Sequence, residues 1–117
     1  MFKTLISLTI IFALFSLVFC DTSLSISQIQ TSGWEGHTGW DVTIMNNGDK
    51  TIMDATIVAE SNFFVEKIWS MDLLSENKYH FPEFLIQNGL KNGTKHTFGY
   101  INKSGTPAIF NVLDVKY

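Results

Sequence analysis

The sequence has few of the residues on which disulfides, cysteine-based metal sites and anion-binding surfaces depend. Its 117 residues include one cysteine, Cys20, and no arginine, and the formal net charge is −3. A lone cysteine excludes a disulfide within the chain and a zinc site built on cysteine pairs. Without arginine and with a mildly acidic balance, the chain has no basic patch for nucleic acid or anionic lipid. We therefore expect an uncharged partner rather than a charged one.

Motifs for catalysis and for metal or nucleotide binding are also missing. His37, His80 and His96 are far apart in the sequence and follow no metal-ligand spacing, so we expect no metal and no cofactor. No GxSxG, P-loop or EF-hand pattern is present. Glu35 and Asp41 could form a glycosidase pair, but a domain this small would struggle to form the cleft that such a pair needs. We interpret both carboxylates as solvated surface groups and predict that the protein is not an enzyme.

Residues 1–20 have the pattern of a secretory signal peptide. A short basic start that ends at Lys3 precedes an almost wholly apolar run from Leu5 to Phe19. This order predicts cleavage after Cys20 and a secreted, extracellular mature domain over residues 21–117. The alternative is a membrane anchor, but the apolar run is near the lower length limit for spanning a bilayer. Because cleavage would remove the one cysteine, the mature domain is expected to depend on an aromatic core, and six of the 10 phenylalanines lie in residues 21–117.

Beyond the N-terminal run, the sequence predicts short β-strands separated by turns. Two runs of alternating apolar residues, Trp40 to Met45 and Ile52 to Ala59, flank Asn46 to Lys50, whose Asn and Gly residues favour a tight turn. We predict a β-hairpin from these runs. Further strands are predicted over residues 24–30, 63–71, 94–101 and 107–117, and no segment has a convincing helical period. Short strands with regularly spaced turns predict an all-β fold, a two-sheet antiparallel β-sandwich that forms a single small domain.

The strand patterns also predict which tryptophans are buried. Trp40 alternates with Val42 and is expected in the core. Trp34 is predicted on a polar, glycine-containing loop before the hairpin, where a large apolar ring suggests function. Trp69 takes the face opposite Ile68, so it points outward if Ile68 is a core residue.

A series of motifs follows in a fixed order through residues 23–117. They are Trp34 in a Gly-rich segment, an aromatic-Asp-Val-Thr-Ile-x-Asn-Asn run from Trp40 to Asn47, Lys50 to Ile52, the isolated Trp69, Phe81-Pro82-Glu83-Phe84, Phe98 to Ile101, and Pro107 to Val112. This order resembles the family-49 carbohydrate-binding modules. The resemblance implies a β-sandwich that binds crystalline cellulose. Such modules occur at the ends of endoglucanases and as small secreted proteins, and this chain is similar to the stand-alone kind.

The resemblance and the chemistry of cellulose indicate a binding site made of exposed aromatic rings. The flat faces of glucose rings carry C–H bonds and no charge, and coplanar aromatic rings match them. We predict that Trp34, Trp69, Phe84 and Tyr79 bind the polysaccharide. The family usually has a tryptophan where this chain has Phe84. Both Phe84 and Tyr79 could instead be packed residues at a corner of the sandwich.

Two sequons predict N-glycosylation of a secreted chain. They are Asn92-Gly93-Thr94 and Asn102-Lys103-Ser104, and both fall in predicted turns. The alternative is that such short motifs arise by chance and are not used.

Together these patterns predict a secreted carbohydrate-binding protein that acts in an extracellular matrix or cell wall. Its expected partner is cellulose or a related β-glucan, bound by a planar strip of exposed aromatic residues. We expect no nucleic acid, no membrane in the mature form and no cofactor, and the oligomeric state stays open. The alternative is a secreted β-sandwich adhesion or interaction protein that binds another protein through a strand edge or an aromatic patch.

Overall fold

The described part of the chain is built almost wholly from β-strands. The structure is a computed structural model that describes residues 23–117, so the expected signal peptide and its cleavage site lie outside the described residues. The elements within that part are β1 (Leu24–Trp34), β2 (His37–Asn46), β3 (Asp54–Ser61), β4 (Val65–Trp69), β5 (Asp72–Ser75), β6 (Lys78–His80), the one-turn helix α1 (Glu83–Ile86), β7 (Lys95–Asn102) and β8 (Ile109–Lys116).

The strands form two antiparallel sheets of four strands each. One sheet has the order β1-β2-β7-β4 and the other has the order β5-β6-β3-β8. This confirms the expected all-β fold with two antiparallel sheets. Within residues 23–117, no helix is long and apolar enough to cross a membrane.

Aromatic rings fill the centre of the core. The ring of Phe110 on β8 meets the rings of Phe63, Phe98 and Tyr100 at centroid distances of 5.7, 5.7 and 5.4 Å, each with steeply inclined planes. Such edge-to-face pairs add to the stabilisation that burial of the rings provides. The core thus has the aromatic character expected of a small domain without a disulfide.

The hydroxyl of Tyr100 ties the two sheets together at one edge. It donates a hydrogen bond of 2.6 Å to Gln28 Oε1 and accepts one of 2.8 Å from the backbone N–H of Ala108. Gln28 in turn donates to the carbonyl oxygen of Ala108 at 2.7 Å. Burial raises the pKa of Tyr100 well above its ordinary value, so the hydroxyl remains a donor over the whole physiological range.

The predicted hairpin between residues 40 and 59 is wrong, because β2 and β3 belong to different sheets. The Asn-Gly turn chemistry serves a crossover instead. Asn46 is fully buried, and its Oδ1 accepts the N–H of Gly48 at 2.9 Å, the two-residue reach of an Asx turn. Its Nδ2 donates to the carbonyl oxygens of Lys50 and Leu90, both at 2.8 Å. These bonds direct the chain from β2 toward the second sheet.

The first hairpin instead joins β1 to β2. Trp34 pairs with His37, and the two-residue turn between them contains Gly36, which has a φ of 74°. Glycine adopts that conformation without steric cost, as the tight turns of β-hairpins require.

Asn102 has a structural role at the end of β7, and its predicted glycosylation is wrong for the folded protein. The side chain is fully buried. Its Nδ2 donates to the carbonyl oxygens of Asn62 and Thr106 at 2.7 and 2.9 Å, and its Oδ1 accepts the N–H of Phe64 at 2.7 Å. A glycan on Nδ2 would remove one of those donated protons and has no room in the buried site.

Asn92 differs from Asn102 because it is exposed in the connection that precedes β7. Its Nδ2 donates to the carbonyl oxygen of Gly48. N-linkage leaves one proton on that nitrogen, so a glycan is compatible with this contact. Glycosylation of Asn92 stays a prediction.

We expect Asn102→Ala to lower the free energy of unfolding by about 2–4 kcal/mol, because it leaves the backbone groups of Asn62, Phe64 and Thr106 without their partner. Urea denaturation measures the change. The matched control is Asn111→Ala, since the side chain of Asn111 donates to Glu60 Oε1 at 2.6 Å on the exposed side of the other sheet. The control should stay within about 0.5 kcal/mol of wild type. Equal losses in the two variants would contradict the role assigned to Asn102.

Candidate functional site

Trp34 and Trp69 lie on the side of the β1-β2-β7-β4 sheet that points away from the core, which we call the outer face. Side chains alternate between the two sides of a strand, and Val42 and Phe98 are buried in the core. Their neighbours on β2 and β7 therefore point outward. The strand register places four outward positions in one row across the sheet: Ile29, Asp41, Gly99 and Trp69.

The indole of Trp69 lies over the backbone of Gly99. A Cβ added to Gly99 would overlap the ring atoms Cζ2, Cε2 and Nε1 of Trp69, so no other residue type fits beneath the ring in this position. Trp69 is 41% exposed, while Ile68 packs against the core. The predicted outward orientation of Trp69 is thus confirmed, and the ring has the backbone on one side and solvent on the other.

Trp34 ends β1 at the opposite edge of the sheet and is 50% exposed. Sequence reasoning placed it in a loop, whereas it pairs with His37 in the hairpin. Ser32, two residues earlier, covers the outward side of Gly39, so Trp34 also belongs to the outer face. Its ring stacks on the imidazole of His37 with centroids 5.4 Å apart and planes inclined by 8°.

The register sets the distance between the two tryptophans. Trp34 lies opposite His37, and Trp69 lies in the row of Asp41, which is four residues further along β2. Trp34 is on β1 and Trp69 is on β4, so three strand spacings separate them across the sheet. Standard strand geometry gives roughly 13 Å along the strands and roughly 14 Å across them, or a diagonal of roughly 20 Å. That length corresponds to several sugar rings of an extended polysaccharide.

Small polar side chains also lie on the outer face, in the row that ends at Trp69 and beyond it. Thr43 and Thr97 face each other across β2 and β7, and their Oγ1 atoms are 3.2 Å apart. Asp41 lies between Ile29 and Gly99 in the row that ends at Trp69. Hydroxyl and carboxylate groups of this kind can bond to sugar hydroxyls once aromatic rings hold the chain in place.

Phe84 is the most exposed of the predicted aromatic residues, at 62%. It lies in α1, outside the sheet, and its ring meets the edge of the His96 ring at a centroid distance of 5.8 Å. His96 Nε2 donates to the carbonyl oxygen of Ser70 at 2.8 Å, and Ser70 directly follows Trp69. His96 is paired with the buried Ile44 and takes the inward side of β7, so Phe84 lies beside the Trp69 end of the sheet and off the outer face.

Tyr79 is not available for binding, and its assignment to the site is wrong. The residue is 7% exposed, and its ring packs edge-on against Phe63 at 5.9 Å in the core. Tyr79 pairs with Ile57 on β3, so it shares the inward side of its sheet. Burial also raises the pKa of its hydroxyl.

Phe64 is an exposed aromatic residue that the sequence reasoning missed. Phe63 packs into the core, and Phe64 points the other way and is 56% exposed. Its backbone bonds to Asn102 Oδ1 and to the N–H of Lys103, which places it at the same end of the sheet as Trp34. The signal was present, because two adjacent aromatics in an extended segment cannot both face the core.

The three histidines do not come together. His37 contacts Glu66, His80 contacts Asp54 and His96 contacts Ser70. Within residues 23–117, no group of three or more His, Cys, Asp or Glu side chains is arranged to hold a metal ion.

Comparison with protein families identifies the kind of domain that carries this face. The family model for the carbohydrate binding domain CBM49 matches residues 24–104, from the first residue of β1 to the connection after β7. The chain belongs to the CBM49 family. This confirms the resemblance drawn from the motifs and shows a carbohydrate-binding domain.

Among solved structures, this CBM49 domain is similar to the chitin-binding domain of a chitinase from Pyrococcus furiosus. The two are 20% identical, the match covers 77% of this chain and 93% of that chain, and the TM-score is 0.44. Comparison with curated proteins finds no match. The assignment of the chain therefore depends on the family match.

We expect Gly99→Ala to displace the ring of Trp69 and to weaken retention of this CBM49 domain on an insoluble polysaccharide. The loss should approach that of one stacked ring, about 1–3 kcal/mol by analogy with stacking on bases. Gly105→Ala is the control, since nothing lies within 4 Å of a Cβ at Gly105. Polysaccharide pull-down and tryptophan fluorescence measure the two effects. Unchanged retention of Gly99→Ala would contradict a binding role for the supported ring.

Proposed function

We propose that this protein is a secreted, non-catalytic module that binds cellulose through the aromatic residues of the outer face. Trp34 and Trp69 form the two ends of the contact, and Phe84 supplies a third exposed ring beside the Trp69 end of the sheet. The observation that carries the proposal is the presence of two half-exposed indoles on one sheet face, each with a fixed support beneath it.

The chemistry of the face suits an uncharged, flat ligand. Stacking on bases is worth about 1–3 kcal/mol per ring, and sugar rings offer a comparable flat surface. Two or three such contacts supply several kcal/mol before the cost of association, which corresponds to about micromolar affinity. Cellulose is the expected ligand because it presents extended rows of glucose rings on a flat surface.

The alternative of a protein-binding adhesion module has one feature in its favour. Leu73 and Leu74 on the edge strand β5 are both exposed. However, β5 has four residues and offers a short edge for pairing with another strand. The outer face gives a longer and more specific contact, so polysaccharide binding is the better supported function.

Secretion is part of the proposal because the polysaccharide is extracellular. The apolar run before residue 20 supports export, and the exposed sequon at Asn92 suits a glycoprotein of a matrix or cell wall. We infer that the protein binds its polysaccharide there without hydrolysing it.

The first test is sedimentation of the mature domain with microcrystalline cellulose. We expect Trp34→Ala and Trp69→Ala each to weaken binding by about 1–3 kcal/mol, with little change in stability because both rings face solvent. Trp40→Ala is the control for a structural tryptophan. It packs against the core and donates from Nε1 to Thr38 Oγ1 at 2.8 Å, so its loss should lower stability by about 3 kcal/mol.

Thermal unfolding and cellulose retention are measured side by side for the three tryptophan variants. If the wild-type domain does not sediment with any insoluble β-glucan, the proposed function is wrong. If Trp40→Ala stays folded and stops binding while Trp34→Ala unfolds, the assignment of inner and outer faces is wrong.

Salt dependence separates this function from the protein-binding alternative. The proposed ligand is uncharged, so cellulose retention should survive a rise to about 1 M salt, at which the Debye length falls to about 3 Å. The measurement is the bound fraction at low and at high salt. A steep loss of retention would instead favour a charged partner.

A further inference from the structure

Asp41 lies in the middle of the outer face, in the row that ends at Trp69. Its neighbours in that row are Ile29 on β1 and Gly99 on β7, and neither carries a polar side chain. Asp41 is half-buried. Within residues 23–117, its carboxylate accepts no hydrogen bond and makes no ion pair. The carboxylate is therefore open to donors from outside the chain.

The hydroxyl groups nearest to Asp41 along the sheet have other positions or partners. Gly39, two residues earlier on β2, has no side chain, and Ser32 Oγ covers its outward side. Thr43, two residues later, has its Oγ1 3.2 Å from that of Thr97. Asp41 is thus a charged acceptor on a face whose own donors do not reach it.

The indole of Trp69 lies next to this carboxylate. Its ring atoms Cζ2, Cε2 and Nε1 lie over Gly99, the residue on β7 that pairs with Asp41. Paired residues on neighbouring antiparallel strands have Cα atoms about 4.5–5.5 Å apart. The ring therefore extends from β4 across β7, and Asp41 lies beyond its far edge on β2.

A glucose unit that stacks on Trp69 would bring its own hydroxyls toward Asp41. In a β-1,4-linked glucan the ring substituents are equatorial, so the hydroxyls leave the sugar in the plane of its ring and not toward the indole. The 2-OH and 3-OH groups lie side by side along one edge of the unit. Two neighbouring hydroxyls can donate to the two oxygens of one carboxylate, and hydrogen bonds to a charged acceptor are stronger than neutral ones.

We propose that Asp41 is a specificity-determining residue, which accepts hydrogen bonds from the 2-OH and 3-OH groups of a glucose unit stacked on Trp69. The inference rests on the proposed function, in which the outer face binds a polysaccharide. Trp69 supplies affinity for any flat sugar face, whereas Asp41 reports the direction of the hydroxyls at its edge. The selected class is a β-1,4-glucan, because an axial 2-OH, as in β-1,4-mannan, leaves the ring plane and supplies one bond fewer.

The main experiment compares retention of the wild type and Asp41→Ala on microcrystalline cellulose and on insoluble β-1,4-mannan. The two polymers share their linkage and differ in the direction of the hydroxyl at C2. Asp41→Ala should weaken binding to cellulose about three- to tenfold, the scale of one or two net hydrogen bonds, and should weaken binding to mannan less. Each loss compares two proteins on one polymer, so differences in polymer surface area cancel.

Two further variants serve as controls. Asp114→Ala removes the same charge from an exposed position on β8 of the other sheet, so it should bind both polymers as the wild type does. Asp41→Asn has nearly the same shape as the wild type and keeps one acceptor oxygen. Its loss of binding to cellulose should lie between those of the wild type and Asp41→Ala. Thermal unfolding of the three variants should stay close to that of the wild type.

Equal losses of Asp41→Ala on the two polymers would overturn the inference, because a purely structural defect lowers both alike. Wild-type binding of Asp41→Asn to cellulose would also overturn it, since a carboxylate would then not be required. The same holds if the wild type does not bind mannan at all, because one missing hydrogen bond does not abolish binding. The two proposals fail separately: if the wild type binds cellulose and Asp41→Ala binds it equally well, only the role of Asp41 is lost, whereas a wild type that binds neither polymer contradicts the proposed function.

Discussion

Side chains from the two central strands of one sheet bind the connections in which the chain crosses to the other sheet. Backbone groups at such crossings leave the strand ladders and need other partners. Asn46 on β2 binds the connections that precede β3 and β7, and Asn102 on β7 binds those that precede β4 and β8. His96 on β7 binds Ser70, between β4 and β5. The sandwich therefore depends on a few amide and imidazole groups in addition to its aromatic core.

The same central pair of strands determines the geometry of the outer face. Phe98 points inward from β7 and Gly99 points outward, so one strand supplies both a core ring and the bare backbone on which Trp69 lies. β2 likewise supplies His37, against which Trp34 stacks. Rings that are supported before the ligand arrives lose little conformational freedom on binding, which favours affinity. The outer face and the core are therefore built on the same two strands, β2 and β7.

The sequence predicted the fold class, the outward direction of Trp69 and the core position of Trp40, because alternation with a period of two reports burial directly. It misplaced the hairpin because the turn chemistry of Asn46 to Gly48 is the same whether a strand returns within its sheet or crosses to the other. Tyr79 and Asn102 were misassigned for a related reason. Tyr79 lies between Lys78 and His80, and Asn102 begins a sequon, so both read as exposed residues. Only the pairing of distant strands shows that Tyr79 faces Ile57 and that the Asn102 side chain binds three backbone groups. Phe64 was visible in principle, but alternation does not say which of two adjacent rings is the exposed one.

Because Asn102 is buried in the folded domain, its sequon is accessible to glycosylation only before folding is complete. In a chain that passes through the secretory route, this amide is open to glycan transfer only until β7 has paired with β2 and β4. A glycan attached before then would prevent the amide from donating to both Asn62 and Thr106, and the modified molecule could not close its connections. In a secreted chain, strand pairing would therefore compete with modification of Asn102, and the yield of folded protein would depend on how fast the central strands assemble.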